Sequence, residues 1–226
     1  YELILTELES SSSSSSENNN SIIILADVDE KVFEVILRFL YTGDVPTLKK
    51  DEDDDEDTMK SILITANRFG VTELKLYVES VLVEYFLIPS RAAKLLLLAD
   101  SHICALLKEG TMDLYASKSM EVIESNMEEW TKLKESSNLL VELFVYASSG
   151  RHKYSSVVED GNGTIDDVDG FDVTSLRERL QTYDLDVDGS RDMLIDRWKM
   201  YLRANDNKVD VDVEADVDVE VEVEER

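Results

Sequence analysis

At 226 residues and 43% apolar content, the chain is long enough for one or two small domains with real cores. Its formal net charge of −27 repels nucleic acid and anionic membranes at long range, which points to protein partners or to a DNA contact confined to a local basic face. The single cysteine, Cys104, excludes a disulfide within the chain and fits a reducing compartment, and no run reaches the ~18 apolar residues of a membrane span.

Tyr1 to Leu8 reads as a short apolar helix end, and Ser10 to Ser16 with Glu17 to Asn20 as a low-complexity linker. The chain opens on Tyr1 rather than Met, so it is expected to be a piece of a longer protein. Ile22-Ile23-Ile24-Leu25 is short, β-branched and bounded by turn formers, which predicts a buried strand. Asp27 to Glu30 supplies a turn and a helix cap. Val32 to Leu40 is apolar on nearly all sides, which predicts a central buried helix ending at Tyr41-Thr42-Gly43, with Pro46 just beyond.

The run Asp51 to Asp57 holds only acids and is expected to be a solvated loop insertion. Met59 to Phe69 and Val71 to Tyr85 predict two helices joined at Gly70. Pro89-Ser90 starts the next, Arg91 to Lys108, and shorter helices follow at about Met112 to Ala116, Glu121 to Ser125 and Leu139 to Ala147. Ser148 to Gly170 is polar, Gly-containing and acidic, and reads as a linker. Val173, Leu176 and Leu180, then Leu194, Ile195 and Trp198, recur at helical spacing. The turn between them holds Asp188-Gly189, where glycine takes positive φ at no steric cost, and Ser190 or Asp192 can cap the second helix. From Lys208 onward valine alternates with acid, a second acidic run expected to be a disordered tail because acids at every other position repel across a sheet.

The order of elements in the first two thirds carries a resemblance. Ile22 to Val28, then Val32-Phe33 to Phe39-Leu40-Tyr41-Thr42-Gly43, then Ala66-Asn67-Arg68-Phe69-Gly70-Val71 to Leu74, resembles the C-terminal half of a BTB (POZ) domain. Leu95 to His102 and on to Leu107-Lys108 looks like the segment that follows this domain in speckle-type and MATH-BTB adaptors, a helical BACK-like extension. The pair Val78-Glu79 stands where the family often has Cys-Glu. The resemblance implies a non-enzymatic adaptor that docks a cullin-3 scaffold and brings a substrate to it for ubiquitin transfer. The family's cullin contact uses an apolar-x-Glu signature and a later aromatic. Glu9-Ser10 looks like the family's Glu-Ser pair, although its apolar slot falls on Glu7, whereas Leu5-Thr6-Glu7 fits apolar-x-Glu without the Ser. Leu5, Glu7, Leu8, Glu9 and Phe69 are therefore the candidate partner-binding residues, and ordinary packing is the other reading of Leu5, Leu8 and Phe69. The N-terminal half of the family's domain, which supplies much of its dimer interface, is not in this sequence, so the usual dimer is not expected of it.

The stretch from Phe171 to Leu202 resembles the SAP motif, a helix-loop-helix module linked to DNA and chromatin, through the spacing of Gly189, Arg191, Leu194, Ile195 and Arg197. That resemblance implies a phosphate-facing surface made of Arg177, Arg179, Arg191, Arg197 and Lys199. Five aspartates among these bases bring the local balance near zero, so weak DNA binding competes with a protein-contact role for the hairpin.

Other chemistry finds little support. Asp160 to Asp166 looks like part of a calcium loop, but Val158 and Asp169 fall at its first and twelfth positions. His102 and His152 lie far apart with no companion at metal spacing. No phosphate loop or nucleophile elbow appears. The expectation is a mainly α protein with no cofactor, no metal and no catalysis. It divides into a partial BTB domain (1–88), a helical extension (89–147), an acidic linker (148–170), a SAP-like hairpin (171–203) and an acidic tail (204–226), working in the nucleus or cytoplasm of a eukaryotic cell.

Overall fold

The computed structural model describes residues 28–45, 54–149 and 165–215, with side chains at 28–45, 56–149 and 168–205. Among the described residues there is no strand, and the fold is mainly helical. The expected helix end at Tyr1 to Leu8, the Ser/Asn linker, the Ile22 to Leu25 strand and most of the calcium-like loop lie outside the described residues. The chain divides into two compact units, Tyr1–His152 and Lys153–Arg226.

In the first unit, α1 (Glu30–Thr42) starts at Asp29, whose carboxylate accepts from the backbone N–H of Lys31 at 2.9 Å and of Val32 at 3.3 Å. It ends at Gly43, which takes φ +72° and donates its N–H to the Phe39 carbonyl. The expectation that Val32 to Leu40 is buried on nearly all sides is corrected. Only Val32 and Ile36, four residues apart, are fully buried, while Glu34 and Arg38 pair at 3.3 Å on the outer face. The helix lies on the core rather than through it.

α2 (Asp54–Arg68) corrects the acidic-loop expectation. Its first turn is built from the end of the acidic run, where negative charge suits the helix dipole. Glu56 is buried and pairs with Lys60 one turn on and with Arg91 at 2.7 Å. Asp57 lies 3.3 Å from Lys60 and 3.4 Å from Lys94. The hydrogen bond and charge of Lys60, then the charge of Lys94, hold the Asp57 carboxyl below its ordinary value. These acids fasten α2 to the segment around residues 91–94.

Gly70 turns the chain at φ +66° into α3 (Thr72–Val81), which runs on through a π-helical turn, Leu82–Phe86. A short 3-10 turn at Pro89–Arg91 leads to α4 (Ala92–Ser101). The single helix expected from Arg91 to Lys108 breaks here. Ile103 adopts φ +54°, Cys104 donates its N–H to the Ala99 carbonyl at 2.9 Å, and the chain doubles back into α5 (Ala105–Ser125). The two short helices expected at Met112 and Glu121 are parts of α5, which bends where Lys118 leaves helical geometry. α6 (Met127–Glu135), capped by the Asn126 side chain on the N–H of Glu129, was not anticipated, and α7 (Ser137–Ser149) follows.

Two apolar clusters result. One joins α1 through α5 around Ile36, Ile62, Leu63, Phe69, Leu74 and Leu95. The other joins α4 through α7 around Leu96, Met112, Tyr115, Leu133 and Leu139.

The second unit begins earlier than the linker reading placed it. A 3-10 turn, Ile165–Gly170, folds with the hairpin and buries Val168 fully. Asp172 then caps α8 (Val173–Thr182) by accepting from the Ser175 N–H at 2.7 Å. Gly189, at φ +126°, precedes α9 (Arg191–Ala215), and the Ser190 hydroxyl accepts from the Met193 N–H. Val173, Leu176, Leu180, Leu194, Ile195 and Trp198, the residues at helical spacing, are all buried. α9 continues past residue 204 to Ala215.

Candidate interaction surfaces

The first unit places one buried acid where two helices meet. Glu79, on α3, is fully buried, and its carboxylate accepts from the Leu107 N–H at 3.0 Å. Leu107 lies in the first turn of α5, whose N-cap residue Cys104 offers no side-chain cap. The acid therefore satisfies an orphan amide and meets the positive end of the helix dipole from a neighbouring element. Lys75, one turn earlier on α3, is also buried. Burial first, and the nearby Lys75 charge second, hold the His102 imidazole below its ordinary value. Cys104 is buried, its thiol 3.6 Å from the His102 carbonyl oxygen. Of these groups, Glu79 is the one that ties α3 to α5.

Phe69 is enclosed in the first apolar cluster. It is 1% exposed, its ring centroid sits 6.0 Å from that of Phe33, and the Arg68 guanidinium lies 5.4 Å from it. An aromatic at the end of α2, just before the Gly70 turn, points back between α1 and α3. Packing, the other reading of this residue, is the role its burial supports. Leu5, Glu7, Leu8 and Glu9 lie outside the described residues.

In the second unit the five bases expected to face phosphate are turned inward upon the hairpin. Arg197 donates to the carbonyls of Asp186 at 2.6 Å and Asp188 at 3.1 Å, and to the Asp186 carboxylate at 2.8 Å. Arg191 donates to the carbonyls of Asp169 and Phe171, both at 2.7 Å. Lys199 reaches both Asp169 carboxylate oxygens at 2.9 Å. Arg177 donates to the Val187 carbonyl at 3.2 Å. Arg179 lies over the Phe171 ring at 4.3 Å. The spacing that suggested a phosphate surface also serves to fasten the interhelical turn and the 3-10 segment onto two short helices. Carbonyl oxygens of an irregular loop need donors, and arginine forks supply them.

Two exposed features were missed by sequence reasoning. On α7, Val141, Phe144 and Val145 are 62, 73 and 59% exposed. The helix is apolar nearly all round, so its sequence suggested burial, and nothing in the pattern marked the face left in water. In the hairpin, Tyr183, Trp198 and Tyr201 form an aromatic trio, with Trp198 and Tyr201 stacked at 5.3 Å and Tyr183 4.5 Å from Tyr201. Tyr183 is half exposed.

Comparison with known proteins bears on the first unit. The BTB/POZ domain family matches residues 5–85. TD and POZ domain-containing protein 3 of Mus musculus is 30% identical over 128 residues, which cover 56% of this chain and 33% of that protein. TD and POZ domain-containing protein 5 of Mus musculus is 31% identical over 115 residues, 51% of this chain and 32% of that protein. The chain thus spans about a third of the length of the curated relatives it matches. The BTB/POZ family matched by residues 5–85 is one of protein-interaction modules.

Proposed function

We propose that this chain is an adaptor of the speckle-type kind, which joins a cullin-3 scaffold to a substrate for ubiquitin transfer. The observation that carries the proposal is the BTB/POZ match over residues 5–85, a range that includes the Leu5 to Glu9 segment. Two features of the fold are in keeping with it. The helices α1 to α3 pack as one body with α4 and α5, and the buried Glu79 carboxylate fixes that junction. The described helices of the matched range thus form a rigid body, which a docking surface needs. With Phe69 in the core, the docking contact rests on Leu5, Glu7, Leu8 and Glu9.

The SAP-like hairpin is read as a protein-contact module. A DNA-binding role has less support, because Arg177, Arg179, Arg191, Arg197 and Lys199 already spend donors or charge within the hairpin. Binding phosphate would require breaking contacts that hold the turn.

Surface plasmon resonance tests the adaptor reading. The immobilised cullin-3 N-terminal domain should retain the full chain, and Leu5→Asp with Leu8→Asp should weaken retention at least tenfold without changing the far-ultraviolet circular dichroism. Equal retention of wild type and the double variant would remove the Leu5 to Glu9 segment from the contact. No retention of the wild type would remove the cullin reading.

A further inference from the structure

We propose that the Asp188-Gly189 pair, in the turn between α8 and α9, is a site of spontaneous covalent modification, at which Asp188 converts through a cyclic imide to isoaspartate and the turn loosens. This inference does not rest on the cullin reading, since it concerns the second unit alone.

The reacting groups are already together. The Gly189 N–H donates at 2.9 Å to the carboxylate of Asp188, the residue before it, which places the Gly189 nitrogen beside the carboxyl carbon. Attack within a chain is fast when the two atoms are held close in this way. The Arg197 guanidinium donates at 3.1 Å to the Asp188 carbonyl, the oxygen of the same peptide bond. Negative charge spreads to that oxygen as the Gly189 nitrogen gives up its proton, so Arg197 stabilises the attacking form. The fold also requires glycine as the nucleophile, because its φ is +126° and Met193 stands 3.2 Å from where a Cβ would be. Asp188 is half-buried, so water reaches it.

The steps balance on water alone. The Gly189 nitrogen bonds to Asp188 Cγ, and the amide proton leaves with the hydroxyl of the carboxylic acid as water, closing a succinimide ring. A water then adds back. Cleavage of the bond from Cγ to nitrogen restores aspartate. Cleavage of the bond from the main-chain carbonyl carbon to nitrogen leaves isoaspartate, with the chain running through Cγ. Nothing is oxidised or reduced. The product lengthens the main chain by a carbon, and the carbonyl that Arg197 held leaves the peptide bond as a free carboxylate.

Asp169-Gly170 is the control within the molecule. It is the other Asp-Gly pair among the described residues, and both oxygens of its carboxylate lie 2.9 Å from the Lys199 Nζ. That ion pair ties the carboxyl to α9 and restrains it from turning onto the Gly170 nitrogen.

The test is timed incubation of the full chain at neutral pH, folded and in guanidinium chloride. Peptide mapping with electron-transfer dissociation then tells isoaspartate from aspartate at each position. In the folded chain Asp188 should convert about tenfold or more faster than Asp169, as positioned attack implies, and in denaturant the two rates should come together. Lys199→Gln, with the fold checked by circular dichroism, should speed conversion at Asp169 by about threefold or more and leave Asp188 unchanged. The separated isoaspartyl protein should melt below its parent when followed through Trp198. Equal rates at the two positions in the folded chain would overturn the proposal, as would slower conversion of Asp188 folded than unfolded. An Asp169 rate unmoved by Lys199→Gln would overturn the claim that carboxyl placement sets the rate, and an unchanged melting temperature the claim that the product loosens the turn.

Discussion

Replacing Glu79 tests whether a single buried acid holds the α3–α5 junction. The side chain is 0% exposed and accepts the Leu107 N–H at 3.0 Å. Glu79→Ala leaves that amide buried without its acceptor, which costs about 1–3 kcal/mol. It also removes a negative charge from a helix N-terminus, about 0.3–1 kcal/mol, and empties the space of two methylenes at about 1 kcal/mol each. The expected loss is therefore about 3–6 kcal/mol. Glu79→Gln keeps an acceptor oxygen and the volume, and gives up only the charge, so its cost should be nearer 1 kcal/mol. The assay is urea unfolding followed through Trp130, on α6, in a Trp198→Phe background so that only the first unit is observed. A Glu79→Ala protein within about 0.5 kcal/mol of its parent would refute the reasoning, since an effect that small is typical of surface substitutions. Equal losses for Ala and Gln would show that charge, and not the acceptor atom, carries the effect.

Phe69→Ala should cost about 3–5 kcal/mol in the same urea assay, as expected for a ring enclosed in the core, and a loss below about 1 kcal/mol would return Phe69 to the surface. Arg197→Ala removes three hydrogen bonds from the interhelical turn and should lower the hairpin's melting temperature, measured through Trp198; a melting temperature equal to wild type would free Arg197 for a ligand. The lowered pKa of His102 means that folding favours its neutral form, so its stabilising contribution is complete above the ordinary value of 6.5 and is lost as pH falls below it toward the folded pKa. Urea midpoints of the first unit should therefore fall between pH 7.5 and 5.5, and His102→Gln should flatten that dependence; equal slopes for the two proteins would contradict the assignment.

Local signals in the sequence located the helices best where a residue has one strong preference. Asp29 before α1, Gly43 after it and Gly70 between α2 and α3 each act where composition placed them, because caps and positive-φ turns are decided within a few residues. The spacing of Leu176, Leu180, Leu194 and Trp198 gave the hairpin core for the same reason. What failed depends on tertiary partners. Seven acids in a row suggest solvated loop, and only the approach of Lys60, Arg91 and Lys94 makes their last four residues a helix start. The break at Ile103 lies inside a leucine-rich run, and the Glu79 carboxylate that receives the new helix comes from another element. For the candidate sites, residue type was legible and direction was not. An arginine five residues from an aspartate can face phosphate or a loop carbonyl with equal ease, and an aromatic beside a glycine can face a partner or the core. Backbone geometry decides both.

The central claim, that this chain is an adaptor for a cullin scaffold, is tested most directly by isothermal titration calorimetry of the full chain against the cullin-3 N-terminal domain. The account predicts saturable heat with one site per chain and a dissociation constant in the range of about 1 μM or tighter, as for a specific interface of ordinary size. Absence of any binding heat at two temperatures, with the chain folded by circular dichroism in the same buffer, would contradict it.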